Sequence, residues 1–252
     1  MNKKLRRLIL PMNPGTQRKR TQKSLQEGPS HLEDIIEIQP NIGNEGTIIF
    51  DVGANVGNTV TAYATEFPMA TIFAFEPATE SFERLKELAS DRIHPVQCAL
   101  GDRVGDAAFH LLSKSGWHSL LPPAQGVSQW RSEKNELEHL ATVSTSLDTI
   151  DHFCLEHAVS KIDVLKIDVQ GSELKVLHGA ETMLKSGRIN WIYSEMLFVD
   201  LYEGQCYFHD LYNLLLQKEY CLLRFYGEKY SSQGRLKWLN GLFVRREILE
   251  QS

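Results

Sequence analysis

IIFDVGANVGNTVTAYATEFPMATIFAFE, residues 48–76, decides the fold. Ile48, Ile49 and Phe50 are β-branched or aromatic and lead into Asp51, the make-up of a buried strand. Gly53, Asn55 and Gly57 crowd the loop that follows, where glycine lets the backbone turn tightly or approach a ligand. Thr59 to Phe67 has a helical pattern stopped by Pro68, and Thr71 to Glu76 is a second apolar run ending in an acid. Strand, glycine-rich turn, helix and strand form the unit of an α/β fold, which holds ligands beyond the carboxyl ends of its strands.

Working outward, the alternation continues. Phe82, Leu85, Leu88 and Ala89 give a helical face, and Ile93 to Leu100 reads as a third strand with its end. Ala107 to Leu112 reads as a strand at an edge or in an insertion, and Val143 to Ser146 as a short one. Helices are expected over Leu147 to Leu155, Glu173 to Lys185 and Phe208 to Leu216. Asp163 to Val169 and Asn190 to Glu195 are buried strands, and Tyr220 to Tyr226 and Leu239 to Arg245 close the sheet around a polar loop or flap. The expectation is an α/β fold: an open, mostly parallel, Rossmann-like sheet with helices on both faces and an antiparallel closing strand. Asp51, Glu76, Asp168 and Glu195 then all stand at strand carboxyl ends, where a ligand crevice forms.

The chain has 252 residues, 42% of them hydrophobic, and a net charge of -5. That balance argues against a nucleic-acid binder. Eight basic side chains and no acid lie in residues 1–23, so the remainder carries 19 basic against 32 acidic residues, a balance of -13. Residues 1–40, broken by Pro11, Pro14, Gly28 and Pro29, read as a basic arm or partial lid; the arm has the charge for peripheral contact with an anionic membrane. Residues 41–252 read as one domain, with 113–142 as an irregular substrate loop. No apolar run is long enough to span a membrane, and Cys98, Cys154, Cys206 and Cys221 have neither disulfide-framework nor metal-ligand spacing. A cytoplasmic setting is expected.

DVGANVG is not the GxGxxG of dinucleotide enzymes and lacks the GK[ST] of a P-loop, which weakens an NAD-dependent oxidoreductase and, more so, a kinase. Glu76 is placed to accept hydrogen bonds from ribose hydroxyls.

IIFDVGANVG, FAFEPATESFERL, CALGD, STSLDTI and above all DVLKIDVQGSELKVLHGAE, in this order, resemble the FkbM-type methyltransferases over residues 47–226. The resemblance implies S-adenosylmethionine as cofactor and a methyltransferase domain over residues 41–252. It implies that Asp51, Gly53, Asn55 and Gly57 surround the methionine part and ribose, and that Glu76 holds the ribose hydroxyls. Pro77 would approach the adenosine side, and Ala99 and Leu100 would lie near the adenine. It also implies O-methylation of a hydroxyl on a carbohydrate, glycolipid or specialised metabolite.

Such a transfer needs an acceptor aligned with the methyl group and a base for its proton. Asp168 and Glu195 are the candidate carboxylates, and His118, in the irregular loop, is a candidate general base. Asp168, Glu173 and Glu195 are hard oxygen donors, yet their spacing is no metal signature, so a divalent ion is not favoured. Gln170 stands where the family more often has glutamate. It supports the alternative of a catalytically weakened cofactor-binding or interaction protein.

Overall fold

The computed structural model describes residues 30–125, 127 and 138–251. Helix α1 (His31–Ile38) starts at a capping box between Ser30 and Glu33. Strand β1 (Ile48–Val52), helix α2 (Asn58–Glu66) and strand β2 (Thr71–Phe75) realise the opening unit. Helix α3 (Thr79–Lys86) and strands β3 (Ile93–Val96), β4 (Ala99–Leu100), β5 (Gly105–Leu112) and β6 (His139–Asp148) follow. Then come α4 (Ile150–Glu156), β7 (Ile162–Ile167), α5 (Glu173–His178), α6 (Glu181–Lys185), β8 (Ile189–Leu197) and α7 (Phe208–Gln217). A hairpin of β9 (Tyr220–Tyr230) and β10 (Leu236–Arg245) leads to α8 (Arg246–Gln251).

The main sheet has seven strands in the order β3-β2-β1-β7-β8-β10-β9. The first five are parallel, and β10 runs antiparallel to both neighbours. From β1 the chain steps outward to β3, then returns to lay β7 on the other side of β1. Helices therefore leave β1 and β7 on opposite faces, and a crevice opens between those strand ends. Alternating side chains serve two cores. Ile49, Val60, Tyr63 and Leu85 pack on the face of α1 to α3, and Phe50, Phe153, Leu165 and Leu215 on the face of α4 to α7.

Five local expectations differ from what forms. The third strand stops at Val96; Ala99 and Leu100 leave the main sheet and pair with Leu147 and Asp148 in a second sheet, β4-β6-β5. An apolar run does not reveal a change of partner. The strand expected at Val143–Ser146 spans His139–Asp148, because its mostly exposed residues carry no burial pattern. The single helix expected over Glu173 to Lys185 is two, divided near Gly179. A Cβ on Gly179 would lie 1.9 Å from the Gly101 carbonyl oxygen, so this bend is where α5 meets the turn after β4. The polar loop expected at 227–237 is mostly strand, turning only around Ser231 to Arg235. Within the expected arm, α1 buries Leu32 and Ile35 in the core, and Trp191 donates its indole N–H to Gln39 at 2.8 Å. Residues 1–29 of that arm, and residues 126 and 128–137 of the expected substrate loop, lie outside the described residues.

Candidate functional site

The turn after β1 is shaped by left-handed backbone, with φ of +80° at Gly53, +48° at Asn55 and +88° at Gly57. At Gly53 a Cβ would sit 1.9 Å from the Asp168 carbonyl oxygen, so only glycine lets the β1 and β7 ends close on each other. Gly53 and Ala54 both donate backbone N–H to the Phe75 carbonyl at 3.0 Å, which binds this turn to the end of β2. There Glu76 accepts from Asn55 N–H at 2.8 Å through Oε2 and from Ala78 N–H at 2.9 Å through Oε1. Burial lifts its carboxyl to about 7, against the pull of those two donors. Each oxygen retains capacity for a further hydrogen bond.

These residues line a crevice of about 580 Å³. Gly53, Asn55, Glu76, Pro77, Ala99 and Leu100 all contribute, together with Asp168 and His118. Cys98, Phe109 and Leu120 complete an apolar wall that sequence reasoning missed, since it depends on the second sheet folding over the first. A carboxylate with two open acceptor positions beside an apolar slot fits a nucleoside such as that of S-adenosylmethionine.

Asp51 and Gly57 stand behind this surface. Gly57 begins α2 and faces Leu88, which a Cβ would approach to 2.4 Å. Asp51 is fully buried and pairs with Lys166 at 2.9 Å, directly across the β1–β7 register. Burial raises the Asp51 carboxyl and Lys166 opposes it. Burial works against the Lys166 charge too, but Asp51 and then Asp168 outweigh it and hold the ammonium above the usual lysine range. Lys166 also donates to the Gly53 carbonyl at 2.9 Å. A lysine in an apolar strand, DVLKIDV, was the available signal for this buried cation.

Beyond β7, Gln170 has a φ of +56° and sits among acids. Its Nε2 donates to Asp168 at 2.8 Å and to Glu195 at 2.9 Å, while its Oε1 accepts from the Tyr202 hydroxyl at 2.8 Å. The Asp168 side chain is 37% exposed. Glu195 is buried, and that burial, with Asp168 and Glu173 nearby, raises its carboxyl well above the usual range. Glu173 is inward rather than solvated: its Oε1 accepts from Val169 and Gly171 N–H at 3.1 Å, and burial raises it to about 7. Gln170 thus hydrogen-bonds both candidate carboxylates.

His118 follows a short 3-10 turn, Ser115–Trp117, and its Nδ1 accepts the Leu112 N–H at 3.0 Å. Burial lowers its basicity. A neutral ring in this contact carries its proton on Nε2. Ser119 ties the same segment to the site by donating to the Gln170 carbonyl at 2.7 Å. A second cavity of about 480 Å³ adjoins the first, sharing Gly116, Asp168 and Gln170. Glu195, Trp117, Leu201 and Trp238 form its remaining walls, and the two indoles meet edge to face at 5.4 Å. Among the described residues, no cluster of three or more His, Cys, Asp or Glu could hold a metal ion.

Residues 51–224 match the methyltransferase FkbM domain. The chain belongs to the FkbM methyltransferase family. It is an S-adenosylmethionine-dependent methyltransferase. This methyltransferase is similar to the 2-O-methyltransferase NoeI of Sinorhizobium fredii, 28% identical over 67% of this chain and 70% of NoeI. It is 29% identical to the hexuronic acid methyltransferase AglP of Haloferax volcanii over 65% of this chain and 62% of AglP. With the 31-O-demethyl-FK506 methyltransferase FkbM of Streptomyces tacrolimicus it shares 28% identity over 60% of this chain and 64% of that enzyme. No helix among its described residues is long and apolar enough to cross a membrane.

Proposed function

We propose that this methyltransferase O-methylates a hydroxyl of a carbohydrate, a glycolipid or a glycosylated specialised metabolite. The observation that carries this reading is the second cavity: two tryptophans wall it, and Asp168 and Gln170 stand where it meets the cofactor crevice. Indole rings offer flat apolar surface to a sugar face, and carboxylates accept from its hydroxyls. The similarity to NoeI, a 2-O-methyltransferase, and AglP, a hexuronic acid methyltransferase, supports the same class.

In this reading Glu76 holds the ribose hydroxyls, Gly53 and Asn55 flank the methionine part, and Pro77, Ala99 and Leu100 pack on the adenosine side. Asp51 and Gly57 shape that turn from behind, Asp51 through Lys166. When bound, S-adenosylmethionine supplies an electrophilic methyl group on a sulfonium. Asp168 accepts a hydrogen bond from the acceptor hydroxyl and would take its proton as that oxygen gains the methyl group, the methyl's bond to sulfur breaking to leave S-adenosylhomocysteine. Glu195 fixes the far side of the acceptor. His118, with Nδ1 already accepting from Leu112, serves as a donor through Nε2, and the base role falls to Asp168. The basic arm of residues 1–23 gives peripheral contact with anionic membranes, and the enzyme acts in the cytoplasm. Cys98, Cys154 and Cys206 pack there as buried thiols.

The test is a panel of acceptors incubated with methyl-labelled S-adenosylmethionine: neutral glycosides, uronides, glycolipids, amines and peptides. Label on a glycan hydroxyl, located by mass spectrometry, is the expected result. Label confined to nitrogen acceptors would overturn the reading. Association with anionic liposomes that is unchanged on removing residues 1–23 would end the membrane proposal.

A further inference from the structure

We infer that Gln170 is a positioning residue whose neutral amide holds Asp168 and Glu195 as one pair across the border of the two cavities. The inference rests on the site assignment just made and goes beyond it. One NH₂ group has two protons, and each goes to a different carboxylate, at 2.8 and 2.9 Å. The amide cannot turn over without cost. Reversed, its Oε1 would face both carboxylates and its NH₂ would face the Tyr202 oxygen. The two carboxylates therefore set the direction in which the amide points, and the Tyr202 hydroxyl, with Oε1 at 2.8 Å and the Trp117 carbonyl at 3.1 Å as acceptors for its one proton, supports it from the other side. The backbone is committed as well: φ at Gln170 is +56°, and its carbonyl accepts from Ser119 at 2.7 Å. Two carboxyl groups this close to one point repel each other unless something neutral or positive lies between them. The amide fills that place with hydrogen bonds and adds no charge.

The groups around this pair come from several elements, among them His118, which lines the crevice with Asp168, and Lys237 on β10, whose Nζ lies 4.3 Å from the Trp238 ring. Lys166 lies 3.9 Å from Asp168 but stands closest to Asp51 on β1, at 2.9 Å. Glu173 opens α5, Tyr193 is on β8, and Tyr202 follows β8. Lys166 is shared with Asp51. A third carboxylate at position 170 would stand beside Asp168 and Glu195 and would keep a proton to a higher pH.

The experiment compares wild type with Gln170→Glu, Gln170→Ala and Tyr202→Phe. Removing the bridge is expected to cut kcat about tenfold or more in Gln170→Ala, while acceptor KM and S-adenosylhomocysteine affinity stay within about threefold. Gln170→Glu alone should move the acidic limb of the kcat profile upward by about one pH unit, because a neighbouring negative charge makes the base harder to ionise. Tyr202→Phe, which keeps both contacts of the amide to the carboxylates and removes one to its Oε1, should fall between wild type and Gln170→Ala in kcat.

A readout that needs no acceptor separates this inference from the choice of substrate. Thermal unfolding is followed with saturating S-adenosylhomocysteine at pH 5.5 and pH 8.5. A glutamate whose folded pKa is raised binds its proton more tightly folded than unfolded, so it loses stability as pH rises. The deficit of Gln170→Glu against wild type should therefore widen by roughly 2–4 °C at the higher pH, and by more than that of Gln170→Ala, which loses the bridge without adding a charge. An equal deficit of Gln170→Glu at both pH values, or wild-type kcat in Gln170→Ala, overturns the inference. Failure of wild type to methylate any glycan leaves the unfolding result to decide it.

Discussion

Glu76 is held in place by two backbone N–H groups, yet each of its oxygens can still accept once more. Glu76→Gln keeps the shape and removes the charge. It should weaken S-adenosylhomocysteine binding by about 1.5–3 kcal/mol, roughly 10- to 100-fold in Kd, measured by calorimetry. Hydroxyl donors favour the ionised carboxylate, and burial has raised this one to about 7. Affinity in the wild type should therefore climb as pH passes upward through 7 and level off above it, and Glu76→Gln should be flat. A flat wild-type titration would remove Glu76 from the ribose contact. Asp168 is more exposed and accepts from Gln170. Asp168→Asn should lower kcat about 100-fold or more with the melting temperature within about 2 °C, since a general base is lost and no core group is removed. Equal turnover at equal folded concentration would rule out Asp168 as the base.

Among the elements, the β1 and β7 ends depend on one glycine. Gly53 sits at a φ of +80° with the Asp168 carbonyl where its Cβ would be. Gly53→Ala should cost at least ~2 kcal/mol in denaturant unfolding, through backbone strain and separation of the two strand ends. It should also weaken cofactor binding, because Lys166 bridges Asp51 and the Gly53 carbonyl and would be displaced with them. Unaltered unfolding and binding would show that the turn relaxes freely. The second sheet matters at the same scale: β4 and β5 bring Ala99, Leu100 and Phe109 to the crevice, and Ser119 fastens the following segment to Gln170.

For the whole molecule, two buried carboxyls make stability depend on pH. Glu76 and Glu173 both have folded values near 7, raised from 4.5 by burial. Between those values the folded protein keeps protons that the unfolded chain releases, so these two groups make stability fall as pH rises from about 4.5 to 7. Glu173→Gln retains an oxygen for the Val169 and Gly171 N–H groups and removes one titration. It should make the slope of urea-unfolding stability between pH 5 and 8 shallower. A slope identical to wild type would mean that Glu173 is already ionised at pH 5.

Much of this was legible in sequence because it is local. The glycine turn, the strand-ending acids Asp51, Glu76, Asp168 and Glu195, and the alternation of strands and helices are written in spacing along the chain, and so was the parallel sheet with its antiparallel closing strand. The resemblance in LKIDVQGSE pointed to the methyl donor. Tertiary structure decided what depends on residues distant in sequence. It turned Ala99 and Leu100 into a second sheet, set Asp51 behind Lys166 rather than on the crevice, and divided the helix after Glu173. It joined Gln170 to Tyr202 and set Trp117 against Trp238 to wall the second cavity. The physical reason is the same in each case. A backbone period records which face a side chain takes on its own element, whereas a neighbour's identity, charge and distance arise only when elements far apart in sequence pack against one another.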